Sequence, residues 1–394
     1  MFRPIAICVL CSVLTFCATA QDVWYGGPFK VGVTPQKELP EASGMVASTT
    51  NADVLWMHND SGDEPTLYAV TLKGGVKEKF TLPKATARDW EDMAYGPGPE
   101  PGKMYLYAGD IGDNEGKRSS ITVYRLQEPE LSNKKSERTT EALAYDTFTF
   151  TYPDGARDAE VLLVDPLTQD IYIVSKRDKK CRIYRAAAPH VSGKTRKLTF
   201  VTALPMNLFT AGEISHNGSQ ILLKNYLYVW HWSRKGKEPL SETFKRAPTR
   251  VTYMPEEQGE AICFTAKDDG FYTTSEREEG GDAAPIYFYP RVKSQRDVSS
   301  TRDAKIPQIS VTPSEDTPGI YNLRYVIPEV SRVTVTVHNG IMLKILDVAS
   351  ESGESGVQER EIDLIDQPSG TYVAVVKTNG ATVMCPIEHQ ASAK

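Results

Sequence analysis

Five glutamates recur at intervals of roughly 50 residues, each in a turn that opens a short apolar run. They are Glu41 in "PEASGMVAS", Glu91 in "RDWEDMAYG", Glu160 in "RDAEVLLVD", Glu213 in "TAGEISHNG" and Glu260 in "QGEAICFTA". If their turns share one place, carboxylates about 6 Å apart repel by roughly 3 kcal/mol per pair at an effective dielectric near 20. Some must then take up protons, or a positive partner must sit among them. Calcium suits such a place, because it accepts six to eight oxygens in irregular geometry. The expected metal ligands are therefore Glu41, Glu91, Glu160, Glu213 and Glu260. A second reading needs no ion: each glutamate accepts backbone N–H bonds from a neighbouring repeat and staples the two together. Both can hold, in different copies.

Two loops add further acids. "HNDSGDE" carries Asp60 and Asp63, and "GDIGDNEGKR" carries Asp110, Asp113 and Asn114. These residues, with Arg177 and Arg277, are the expected ligand-binding rim, beside Lys176 and Lys224. Asp and Gly also favour tight turns for backbone reasons alone, so the repeated Asp-x-Gly-Asp has a purely conformational reading. In "RDWED", Asp89 and Glu91 form the densest acidic pair and are the candidates for catalysis. Strand alternation sends Glu91 one way and Trp90 and Asp92 the other. Arg157, Arg177 and Arg277 would bind an anionic group next to a metal, as phosphoryl transfer requires.

Other chemistries find little support. The six histidines are scattered, no H-E-x-x-H occurs, and there is no G-x-S-x-G elbow. His58, at the end of a strand beside Asp60, is expected as a hydrogen-bonded rim residue. Formal net charge is −6, which gives no electrostatic footprint for nucleic acid.

The elements that must position these acids are short strands separated by turn residues, with almost no helical periodicity. Each acidic turn opens a first strand, and a second follows: "DVLWMHND", "KMYLYAGD", "DIYIVSKR", "QILLKN" and "GFYTTSER". A third carries a tyrosine, as in "TLYAV", "ITVYRL", "CRIYRA" and "PIYFY", with "YLYVWHW" a looser match. Four antiparallel strands per repeat predict the blades of an all-β, five-bladed β-propeller over residues 21–291. The last blade lacks a fourth strand, and "PFKVGVTP" before the first blade is expected to supply it and close the ring. A sixth blade within "GKTRKLTFVTALPMNLF" is the alternative. Residues 292–312 read as a polar linker, and 313–394 as a small β-sandwich in which "VTVTVHN" alternates with period two. Trp90, Trp230 and Trp232 are expected to pack between blades.

At the N-terminus, Arg3 precedes the apolar run "IAICVLCSVLTFC", with Ala18-Thr19-Ala20 as a small-x-small cleavage site. This predicts a signal peptide over residues 1–20 and an exported chain; a lipoprotein anchor at Cys17 competes, against bulky Phe16. Cys181, Cys263 and Cys385 then remain, so one disulfide is the most the mature chain can form. No later run approaches the ~20 apolar residues of a membrane span.

Three resemblances follow from these residues. The tail, with "VTVTV", Asn339-Gly340 and "PSGTYVAVV", resembles the type A sorting domain of the type IX secretion system, which implies a secretion-machinery partner. It departs from that pattern in running on through "ATVMCPIEHQASAK". Five blades with a glutamate at each inner strand resemble the calcium-activated nucleotidases (apyrases). "DWEDMAYGP" and "AGDIGDNEGKR" are similar to segments of secreted bacterial propellers with no assigned activity. Two functions are thus expected. One is a secreted, ligand-binding propeller with a calcium-binding mouth, for a small molecule, glycan or phosphate ligand. The other is a calcium-dependent phosphoester or phosphoanhydride hydrolase with metal near Glu91 and Glu160.

Overall fold

A computed structural model describes residues 23–131, 143–256, 258–276, 283–301, 303–340, 342–379 and 381–391. The expected signal segment and Arg277 lie outside these residues. Five antiparallel sheets form the larger body, and their innermost strands are Ala42–Ala47, Trp90–Pro97, Ala159–Val164, Ala211–Ile214 and Ala261–Phe264. Each innermost strand packs against the next, and the last packs against the first, so the sheets close a ring as a five-bladed β-propeller. These strands are almost wholly buried. Continuous apolar runs such as "VLLV" fit strands covered on both faces.

Phe29–Val33 pairs antiparallel with Pro285–Val292, and so supplies the outer strand that the fifth blade's own segment lacks. The stretch weighed as a sixth blade is divided between two others. Thr195–Lys197 extends the second blade in parallel, and Thr199–Ala203 is the outer strand of the third. The looser fourth repeat is regular, with Val229–Ser233 as its third strand. Trp230 packs edge-on against Phe209, and Trp232 against Phe244.

Seven further strands make a β-sandwich of a three-stranded and a four-stranded sheet. Along Ser331–Asn339 the valines at 333, 335 and 337 are buried while their neighbours are not, which is the period-two pattern of one wet face. The sandwich begins earlier than the linker reading places it. Gln308–Pro313 already pairs with Ile320–Ile327, and Gln295–Ser300 is a short helix with a Ser294/Asp297 capping box. One apolar cluster runs from Tyr25, Phe271 and Tyr289 of the propeller to Tyr321, Leu323 and Val335 of the sandwich. Cys181, Cys263 and Cys385 are all free.

Candidate functional site

The ladder of each blade fixes which acids reach the channel mouth. The backbone N–H groups of Asp60, Gly112 and Lys176 donate to the carbonyls of Glu41, Asp89 and Asp158, and that of Glu276 donates to Gln258. Glu41 is therefore in register with Asp89 and Asp158. Glu91, Glu160 and Glu260 stand two residues further in, where the first blade has Ser43. In the second and third blades a β-bulge creates this arrangement: Trp90 faces Asp110 while Asp92 faces Gly109, and Ala159 faces Ser175 while Val161 faces Val174. Glu91 and Glu160 are the extra residues, re-aimed by the bulge as such insertions do.

The bulge also overturns the alternation expected around Trp90. Asp92 turns inward as well, where it accepts the N–H groups of Met93 at 2.8 Å, Leu162 at 3.0 Å and Gly212 at 3.4 Å. Asp92 thus ties three inner strands together. Glu213 does the same job elsewhere: its carboxylate accepts the N–H of Phe264 in the next blade. Phe264 ends the strand that Glu260 precedes, so Glu213 lies down the channel and not at the mouth with the others. The stapling alternative is the observed role of Glu213, and burial pushes its carboxyl up to about 8. Glu41 is exposed at the edge.

Among the described residues, seven acids remain at the mouth: Asp60, Asp89, Glu91, Asp158, Glu160, Glu260 and Glu276. Oxygens of Asp60, Asp89 and Glu91 fall within 4.8 Å of one another, and so do those of Glu91, Asp158 and Glu160. Among the described residues, two positive side chains pair with them. Lys176 pairs with Glu160, and Arg177 Nε lies 2.6 Å from Asp158 Oδ2. Tyr226 accepts from Lys176 Nζ at 3.1 Å and donates to Glu260 Oε1 at 2.8 Å. Asp60 Oδ1 and Glu260 Oε2 are buried without a hydrogen-bond partner.

Burial, reinforced by mutual repulsion, raises these carboxyls. Glu91 and Glu160 are held well above the usual range, first by desolvation and then by Glu160 and Glu260 respectively. Asp60 is pushed up to about 6 and Glu276 to about 8 by the same causes. Asp89 is raised by burial and by Asp158. Such a cluster either keeps protons or accepts a hard cation.

The other loop acids have different work. Asp63 accepts from Asn59 Nδ2 at 2.6 Å and the Tyr68 hydroxyl at 2.9 Å, inside its own blade. Asp110 pairs with buried Arg118 at 2.7 Å, and Asp113 accepts the N–H groups of Lys117 and Arg118. These acids fold the "GDIGDNEGKR" loop over the mouth, as the conformational reading has it. Asn114 accepts from Arg177 at the exposed rim. Gly112 of that loop lies directly on the acids, where a Cβ would overlap Glu91 Oε1 and Asp89 Oδ2.

Two rim assignments are corrected. His58 is fully buried, its ring edge-on to Trp90 and its Nδ1 2.7 Å from the Asn59 carbonyl; burial pushes it down to about 4. Lys224 is also fully buried, with Nζ donating to the Gly259 carbonyl. Arg157 is committed to Asp178 at 2.9 Å and Asp154 at 3.4 Å. Sequence reading did not single out Asp158, Tyr226 and Glu276. The first was legible: "RDWED" and "RDAEV" repeat Arg-Asp-x-Glu in consecutive blades.

No protein-family profile matches the chain, and no curated protein does. Among solved structures it is similar to one in a nidogen/laminin complex, at 12% identity and TM-score 0.35 over 59% of this chain and 72% of that one. It is also similar to PorZ, a bacterial surface component of the type IX secretion system of Porphyromonas gingivalis, at 10% identity and TM-score 0.30. That match covers 90% of this chain but 53% of PorZ, so the chain spans about half of PorZ's length. A third likeness is to the Dos1 propeller, at 10% identity and TM-score 0.30 over 77% of this chain and 92% of that one. No helix among the described residues is long and apolar enough to cross a membrane.

Proposed function

We propose that the protein is an exported propeller that binds a ligand at its channel mouth through one divalent cation, with calcium as the ion. The observation that carries this reading is the contrast between the two carboxylate triads. Glu160 and Asp158 of one pair with Lys176 and Arg177. Among the described residues, Asp60, Asp89 and Glu91 of the other have no ion pair with a basic side chain, although their oxygens converge within 4.8 Å. The residues fit a cation: every donor is a carboxylate oxygen, and Asp60 Oδ1 lacks any other partner. Such a set suits hard ions over zinc. Three protein carboxylates leave calcium positions open for water or for hydroxyl and anionic groups of a ligand. Export rests on the N-terminal segment and on the sorting-domain resemblance of the tail.

The hydrolase reading has less support. Phosphoryl transfer calls for free basic groups beside the metal, whereas Arg157 and Arg177 are held by Asp178 and Asp158. The test is thermal unfolding of purified protein in chelator and in millimolar-range calcium. A cation that binds only the folded state at 100 times its Kd adds about 2.7 kcal/mol. Calcium is expected to raise the midpoint of wild type and not of Asp89→Asn. Equal midpoints for wild type with and without calcium would discard the cation; calcium-dependent turnover of nucleotides or p-nitrophenyl phosphate, lost in Glu91→Gln, would restore the hydrolase.

A further inference from the structure

The triads that share Glu91 are each three carboxylates of the same spacing, yet in one of them a buried ammonium already pairs with a member, Glu160. Lys176 directly follows the second strand of the third blade, Ile171–Ser175, and is only 6% exposed. Its Nζ pairs with Glu160, donates to the Tyr226 hydroxyl at 3.1 Å and lies 5.4 Å from the centre of that ring. Tyr226 then donates to Glu260 Oε1. Glu260, also 6% exposed, keeps its second oxygen without a hydrogen-bond partner beside this chain of contacts. Burial works against the ammonium, but Glu160 and Glu260 outweigh it and hold the charge on Lys176.

We propose that Glu91, Asp158 and Glu160 form a second cation subsite whose occupant is the Lys176 ammonium. The mouth therefore takes one divalent ion, at Asp60, Asp89 and Glu91, where an unblocked site would take two bridged by Glu91. This rests on the cation reading of the mouth given above. The geometry supports it: the second triad converges within the same 4.8 Å as the first. Calcium–oxygen bonds of about 2.3–2.6 Å place opposed ligand oxygens up to roughly 5 Å apart, so the spacing admits an ion as readily as an ammonium. An ammonium offers a single positive charge and three donors, one of which meets Glu160 and another Tyr226. Arg177 does not substitute for it, because its side chain is 50% exposed and lies on Asp158 at the rim. Lys176 is thus a positioning residue that sets the number of ions bound and keeps Glu160 from competing for the first.

Isothermal titration of the full chain with calcium chloride reads the count. The expected stoichiometries are one ion for wild type, two for Lys176→Gln and one for Lys176→Arg, which keeps the charge. Should Lys176→Gln fold only in calcium, two ions per folded chain remain the expected count. Two ions bound to wild type overturn the proposal however the variants behave. A folded Lys176→Gln that still binds one ion, where wild type binds one, overturns it too. If wild type binds none and Lys176→Gln binds one, the Asp60–Asp89–Glu91 site is discarded while the blocking role of Lys176 stands. No binding by either removes both.

Discussion

At the residue scale, the same glutamate has two fates depending on what its carboxylate meets. Glu91 is buried among other acids, whereas Glu213 is buried against a backbone N–H of the next blade. Without a cation, the charge on Glu91 is a cost. Glu91→Gln is therefore expected to stabilise metal-free protein by about 1–3 kcal/mol at alkaline pH while abolishing the calcium response. Chemical denaturation in chelator checks the first part, and an unchanged or lower stability would contradict it. Glu213 makes a pH prediction. Its carboxyl is raised to about 8 when folded and is near 4.5 when unfolded, so between those values the folded chain holds a proton that the unfolded chain has released. Stability then falls as pH rises through that window, by at most about 5 kcal/mol. Glu213→Gln still offers Phe264 an acceptor oxygen and is expected to flatten the decline. Parallel slopes for variant and wild type between pH 5 and 9 would count against this. Sequence displays the residue type at both positions, but which environment each meets depends on ladder register and is not legible there.

At the element scale, the β-bulges decide the site. They put Glu91 and Glu160 two residues past Asp89 and Asp158, and so convert two Asp-x-Glu spellings into converging pairs. A spelling repeated in consecutive blades was readable; the bulge was not, because strict alternation is the default for a strand. The Asp-x-Gly-Asp loops teach the reverse lesson. They looked like ligands, yet Asp63 and Asp110 are used up in Asn59, Tyr68 and Arg118 contacts, and Asp60 alone of these joins the converging carboxylates. In the second loop the glycine matters more than the acids. Gly112→Ala puts a methyl group onto Glu91 and Asp89, so the loop must lift away. The expected result is a loss of roughly 1–3 kcal/mol and a weakened calcium response, with the strand content of the far-UV spectrum unchanged. A variant with wild-type stability and calcium response would show that the loop does not rest on the acids.

At the scale of the whole molecule, the ring depends on a strand far away in sequence. Period, turn chemistry and the missing outer strand of the fifth blade made this architecture legible, since each repeat buries its faces only against neighbours. The start of the sandwich was less so, because "QISVTP" is short and flanked by polar residues that read as linker. The apolar cluster shared by Tyr25, Phe271, Tyr289, Tyr321 and Val335 joins the cores of the two bodies. Unfolding in urea is accordingly expected to follow one transition by tryptophan fluorescence and by far-UV dichroism. The five tryptophans, at 24, 56, 90, 230 and 232, all lie in the propeller, so a separate second transition in dichroism alone would reveal an independent sandwich.

The proposed function stands on carboxylates of the first and second blades that converge, among the described residues, without an ion pair to a basic side chain. Anomalous diffraction from crystals grown in calcium chloride tests it most directly. One anomalous peak is expected, bonded to Asp60, Asp89 and Glu91, with Lys176 still on Glu160. Crystals at millimolar calcium in which that triad holds only water, or in which calcium binds elsewhere on the chain, would contradict it.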